Sequence, residues 1–307
     1  MLHIHRSDRA DPLLAVLTDV VSEPTVDALV PEIVCVPSRG IERWISQGIA
    51  TKLGVSANTR YPSPQALVEQ VIAESTGRDR VDDPWVNGQL LWGIGTAIDA
   101  HMGSSWLHLV ASQINQGQIT FSGGEGRSRT DRVATFQYIR DLFATYHWMR
   151  PEMVLAWRDG HDVGPTGEPL APRSRWQPRL WREVRDRLAL PSPPELLAQA
   201  NDQIAAGSVR LDLPTRISAF GLTRLPSSVL SVLAAISVHR DVHLFALHPS
   251  NVLWRDVAAE LSGTDSGQHR RTRDSDLTAV LAHNSMLASW GRDSRELQLV
   301  LDSVTVP

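Results

Sequence analysis

The stretch EIVCVP, residues 32–37, limits the fold more than any other part of the chain. It is β-branched and almost wholly apolar, the pattern of a strand covered on both faces within a parallel sheet rather than of a half-exposed antiparallel strand. A parallel strand needs a crossover, and the following residues supply one. Ser38-Arg39-Gly40 is a polar elbow, at which Gly40 permits a tight turn, and IERWISQGIATKLG (41–54) places apolar residues at 41, 44, 45, 49 and 53 before ending at Gly54. Upstream, LHIH (2–5) alternates like a half-buried strand, and DPLLAVLTDVV (11–21) follows at helical spacing behind Asp11 as its expected cap. The order strand, helix, strand, helix predicts the opening of an α/β sheet.

Beyond the loop ANTRYPSP (57–64) the character changes. Helical patterns dominate from about residue 65 to residue 200, among them NGQLLWGIGTAIDAH, SSWLHLVASQI, DRVATFQYIRDLFATYHWM and RLWREVRDRLAL. Gly- and Pro-rich connections are expected at 122–131 and 160–178. Strand patterns return in TRISAFGL (215–222) and DVHLFALHP (241–249), on either side of a helix SSVLSVLAAISV (227–238). The predicted fold class is therefore α/β: a parallel sheet domain (1–64 and 205–260) interrupted by a mainly helical domain (65–204). Residues 261–307 are expected to form a polar loop, SGTDSGQHRRTRDSD (262–276), and a helix in HNSMLASWGRDSRELQLVL (283–301).

A strand, polar elbow and helix start at 32–43 hold the position of a phosphate loop, so the chemistry there is the first thing to test. Lys52 is the only lysine in 307 residues, and Leu53 follows it, so no GxxxxGK[ST] loop exists. Nucleotide hydrolysis would also need carboxylates at the end of a later strand to hold magnesium, but RISAFGLTRLP ends in Gly221, Leu222 and Thr223. Two readings of the elbow stay open. Arg39 and Arg43 could contact phosphates in two-pronged fashion at the helix N-terminus, or they could be solvated side chains on a plain connection.

The remaining candidates are weaker. His3 and His5 on one strand, and His243 and His248 on another, lack a HExxH or cysteine partner, and no GxSxG elbow occurs. No catalytic residue, metal ligand or bound cofactor is expected. Cys35 is alone in its apolar run, which predicts a buried thiol in a reducing compartment. The N-terminus lacks the apolar core of a signal peptide, and no run reaches about 18 apolar residues; a cytoplasmic chain without membrane contact is expected. Thirty basic against thirty-four acidic residues give a net charge of −4, so any nucleic-acid role must come from local patches. The most basic segment is PRSRWQPRLWREVRDRL (172–188), where arginines alternate with Trp176 and Trp181. From Pro178 as the first helical residue, it reads either as a single-strand-binding surface or as a charged helix anchored by core tryptophans.

Several stretches, in order, are similar to the N-terminal part of the RecC family: LHIHRSDRADPLLAVL, PEIVCVPSRGIERWISQGIATKLGVSANTRYPSP, DLFATYHWMRPEMVLAWRDG, RWQPRLWREV, RISAFGLTRLPSSVLSVLAAISVHRDVHLFALHPSNVLWRD and HNSMLASWGRDSREL. The resemblance implies an inactive, RecA-like sheet domain of the superfamily 1 helicase type with a helical domain inserted. It also implies a non-catalytic place in a RecBCD helicase–nuclease (exodeoxyribonuclease V), beside RecB-like and RecD-like motors that use ATP and magnesium. Family members hold those motors, split forked DNA, channel its 3′-ended single strand and scan it for the signal Chi. The resemblance assigns strand contact to the region of Pro37, Arg39 and Arg43 and to Asp141, Leu142 and Arg150. The last three keep the family's residue types. Members that read Chi carry amide and hydroxyl side chains where this chain has Pro37, Arg39 and Arg43, and arginine only donates hydrogen bonds. Two other readings remain: an active ATP-dependent subunit like the AddB-like relatives, which would need the missing phosphate loop, and a module that only binds partner subunits.

Overall fold

The computed structural model describes residues 1–25, 27, 29–116, 132–262 and 276–302. The chain forms two compact units, one from Met1–Gly77 with Gln199–Pro307 and the other from Arg78–Ala198.

The first unit is built on a five-stranded, wholly parallel sheet. Its strands are β1 (Leu2–Ser7), β2 (Glu32–Cys35), β3 (Thr59–Arg60), β4 (Arg216–Phe220) and β5 (Asp241–Leu247), in the order β1-β5-β4-β2-β3. The α/β expectation and its buried central strands hold. Ile33, Val34 and Cys35 are buried, and so is every residue of β4. Side chains alternate across the sheet. On one face Val34, Phe220 and Phe245 pack with α1 (Ala10–Ser22) and α2 (Arg39–Leu53) through Leu13, Leu17, Ile45 and Ile49. The alternate residues Ile33, Cys35, Ile217, Ala219 and Leu244 are equally buried, and α10 (Ser227–Ser237) packs on β5 and β1 and against α3 (Pro64–Thr76). Burial pushes the Cys35 thiol up to about 12, so it stays protonated and inert.

Several local expectations need correction. Asp11 does not cap α1: the helix starts at Ala10 with Arg9 as the flanking residue, and Asp11 lies in the first turn, where its charge favours the helix dipole. The dipeptide Thr59–Arg60, inside the expected loop, pairs with Glu32 and Ile33 as the sheet's edge. The final helical pattern is two helices, α12 (Ser285–Trp290) and α13 (Arg292–Asp302). Gly291 separates them where a Cβ would meet the Leu287 carbonyl oxygen at 2.7 Å. The connection at 122–131, and 262–276 apart from its two ends, lie outside the described residues.

The second unit is helical among its described residues: α4 (Gln89–His101), α5 (His108–Gln116), α6 (Arg132–Met149), α7 (Pro151–Arg158), α8 (Trp176–Leu188) and the start of α9 (Pro193–Ala205). Helices α10 (Ser227–Ser237) and α11 (Asn251–Ser262) complete the first unit. Helix α8 starts at Trp176 rather than Pro178, because proline is tolerated anywhere in a first turn whose N–H groups have no helical acceptor. Its tryptophan takes the core role: Trp181 and Trp157 are fully buried with Phe143, Ile94 and Val184.

His147 on α6 is buried in that core and accepts a hydrogen bond at 2.9 Å from the Trp181 indole Nε1–H. Desolvation lowers its pKa to about 3. The folded value lies below the unfolded one, so between these values the unfolded state binds the extra proton and stability falls as the pH falls. Unfolding by urea should show His147 costing about 2 kcal/mol between pH 6.5 and pH 5. A His147→Gln variant, still able to accept from Trp181, should lose that pH dependence, whereas an unchanged pH profile would contradict a neutral buried imidazole.

Candidate nucleic-acid interface

Parallel α/β sheets bind ligands outside the carboxyl ends of their strands, where helix N-termini gather. Here the ends of β2 and β3 open onto a cleft of about 610 Å³ lined by Pro37, Ser38, Arg39, Arg43, Tyr61 and Ser63, with Val36 and Glu42 completing it. The amide of Val36 donates to the Pro62 carbonyl at 3.0 Å and ties the two strand exits together.

Two helices begin at this cleft. Ser38 is the N-cap of α2, in extended backbone, and its Oγ accepts from the Ile41 amide. Ser63 caps α3 in the same way, accepting from the Ala66 amide at 3.2 Å, with Pro64 as the first helical residue. The elbow is therefore turned by the serine cap. Gly40 lies inside the first turn of α2 without left-handed backbone, so the expectation that it makes the turn is corrected. The glycine that matters is Gly221, after β4. It has φ of +71°, and a Cβ there would lie 3.3 Å from Ile41 Cδ1. The start of α2 thus rests on a bare backbone at the end of β4.

Pro37, Arg39 and Arg43 come together in this cleft and are exposed. Neither arginine makes an ion pair or hydrogen bond among the described residues, although Glu42 is a near sequence neighbour. Burial raises the Tyr61 phenol above its ordinary value, and the Glu42 charge adds to the rise. The cleft therefore offers two guanidiniums without a partner among the described residues, suited to holding an anionic backbone, while the Tyr61 hydroxyl itself is buried. Tyr61 and Ser63 were not singled out from the sequence. The Ser-Pro pair at a helix start was a legible cap signal, while Tyr61 carried none.

The other three candidates belong to the helical unit. Asp141 and Leu142 lie mid-way along α6, and Asp141 is held by its neighbour Arg140, with Nε to Oδ1 at 2.9 Å. Arg150 is the residue between α6 and α7, exposed, its amide donating to the Tyr146 carbonyl at 2.8 Å. The strand histidines face one another: His5 Nε2 lies 3.0 Å from His243 Nδ1, and His3 stacks on His243 at 4.7 Å. Desolvation and the two neighbouring imidazoles lower His243 to about 4, so its ring packs as a neutral group beside Phe245. Among the described residues no group of three His, Cys, Asp or Glu could hold a metal ion, and no helix is long and apolar enough to cross a membrane.

Residues 2–306 match the family described as RecC, N-terminal domain. The chain belongs to the RecC N-terminal domain family. The RecBCD enzyme subunit RecC of Mycobacterium tuberculosis H37Rv is 36% identical over 312 residues, covering 98% of this chain and 26% of that protein. The same subunit of Mycolicibacterium smegmatis is 33% identical over 98% of the chain and 25% of its own length. For Escherichia coli K12 the identity is 24%, over 99% of the chain and 28% of the relative. The chain thus spans about a quarter of the length of the RecC relatives it matches.

Ser38→Ala should destabilise the protein by about 1 kcal/mol, and Ser38→Gly by only a few tenths, measured by urea unfolding. Equal losses from the two variants would contradict the capping geometry.

Proposed function

We propose that this chain is a non-catalytic segment of a RecBCD-type helicase–nuclease in double-strand break repair and recombination. It binds and channels the 3′-ended single strand and helps to scaffold RecB-like and RecD-like motor subunits, which use ATP and magnesium. In this reading the sheet unit is a RecA-like, superfamily 1 helicase-like domain without activity, and the helical unit is its inserted domain. The complex works on forked DNA in the cytoplasm.

The observation that carries the reading is the cleft at residues 36–63. It keeps the place of a phosphate loop at a helix start, has no lysine, has Gly221 where carboxylates would stand, and presents Arg39 and Arg43 without ion-pair partners among the described residues. Such a site can grip phosphates and cannot polarise a water on magnesium. Asp141, Leu142 and Arg150 supply contacts from the helical unit. Arginine and proline offer no hydrogen-bond acceptor to a base edge, so a Chi-like signal scanned here is read by other means than amide pairing.

The purified protein should bind a labelled oligothymidylate in a salt-dependent manner and should not turn over ATP. Replacing Arg39 and Arg43 together by alanine should lower the slope of log affinity against log salt by about 1.4, the value for two phosphate contacts on a single strand. Retention of the full slope would remove the cleft from the strand path, and ATP turnover by the purified chain would overturn the non-catalytic reading.

A further inference from the structure

We propose a second single-stranded DNA contact on the helical unit, centred on Arg173, Arg175 and Arg179 and a cleft of about 400 Å³ beside them. This goes beyond the sheet-unit cleft and stands on separate observations. The cleft is lined by His108, Leu109, Ala171, Pro172 and Arg173, all exposed, so its floor is largely apolar and Arg173 supplies the charge at its rim.

The arginines of segment 172–188 divide into two sets. Arg182, Arg185 and Arg187 are committed inside the unit: to Asp162 at 2.8 Å, to Glu195 through two nitrogens, and to Glu183 at 2.7 Å. Arg173, Arg175 and Arg179 have no carboxylate partner among the described residues. Arg175 donates only to the Leu170 carbonyl at 3.4 Å, and Arg179 lies over the Trp106 ring, 4.7 Å from its centroid. The two stretches that form the cleft and its rim, 102–116 and 169–182, contain no aspartate or glutamate at all. Three guanidiniums without a carboxylate partner among the described residues therefore lie within residues 173–179 of a protein whose net charge is −4.

A cationic rim alone would suit any anion, but the other features narrow the choice. The exposed Arg179 guanidinium over Trp106 offers a stacking plane, and Leu109, Ala171 and Pro172 give an apolar seat beside Arg173. Phosphate-binding arginines interleaved with stacking surfaces are the means by which single strands are held without sequence preference.

The test measures anisotropy of a labelled oligothymidylate with the whole chain over a range of salt. Changing Arg173, Arg175 and Arg179 together to glutamine should weaken binding about tenfold and reduce the salt slope by about 2. The Arg173→Gln/Arg175→Gln pair, both exposed and outside the core, should lose part of the same slope and guards against misfolding of the triple variant. Photo-crosslinking of 5-iodouracil DNA to the unsubstituted protein should label Trp106 or Trp176. Full slope in both variants, or crosslinks confined to the sheet unit, would overturn the proposal. So would binding of oligoglutamate that needs the three arginines when oligothymidylate binding does not. Losses seen only with Arg39 and Arg43 changed would leave the sheet-unit cleft standing alone, and losses seen only with the 173–179 variants would do the reverse.

Discussion

The first unit depends on strand β4 and on the charge at its beginning. Arg216 bonds Glu32, 184 residues away, through both Nε and Nη2, and reaches the Glu23 carbonyl at 3.2 Å. Its side chain is about one-tenth exposed. Removing one partner from so buried a pair leaves an uncompensated charge, an effect that typically costs about 3–5 kcal/mol. The pair fixes the register in which Ile33 lies beside Ile217, and one slip would exchange the residues of the two packed faces. Residues from the first part of the chain cannot close this sheet by themselves, since β4 and β5 lie between β1 and β2. The chain must therefore bring residues 216–247 back before the core exists, a high-contact-order arrangement that favours late consolidation of the sheet.

That closure creates the cleft. With β4 beside β2, Gly221 follows the strand in a left-handed turn, and Ile41 of α2 settles against its bare Cα. The helix start is positioned by packing and by the Ser38 cap, without any phosphate to organise it. In a nucleotide site, lysine and magnesium stabilise the phosphate charge, and the loop glycines let the backbone approach it. Here the support comes from apolar contact, and Pro37, Arg39 and Arg43 stand exposed at the rim.

Much of the sheet was legible because buried parallel strands leave a dense apolar signal, as in EIVC and in the β4 residues RISAF. The strand order was not, because it depends on which distant strands pair, and β3 was hidden by having only two residues, neither of them apolar. Asp11 and Gly40 misled for one reason: each is a residue type common at helix boundaries, and each stands a residue or two inside the helix, where backbone geometry decides its role. At the cleft, the missing lysine and carboxylates could be read directly. Tyr61 could not, since only the pairing of β2 with β3 brings it there.

Charge is where sequence and structure differ most in what they reveal. The arginines of 172–188 look alike in a string of letters, and the net charge of −4 hides them altogether. The fold separates them by distance to carboxylates. Arg182, Arg185 and Arg187 are neutralised within 3 Å of carboxylate partners, while Arg173 and Arg175 on the same stretch have no such partner among the described residues. At physiological salt the field of an exposed charge fades over about 8 Å. An approaching polyanion therefore responds to these local groups more than to the sum over the molecule. A mildly acidic protein can thus present cationic contacts in two places, and the positions of its acidic side chains decide which arginines remain available.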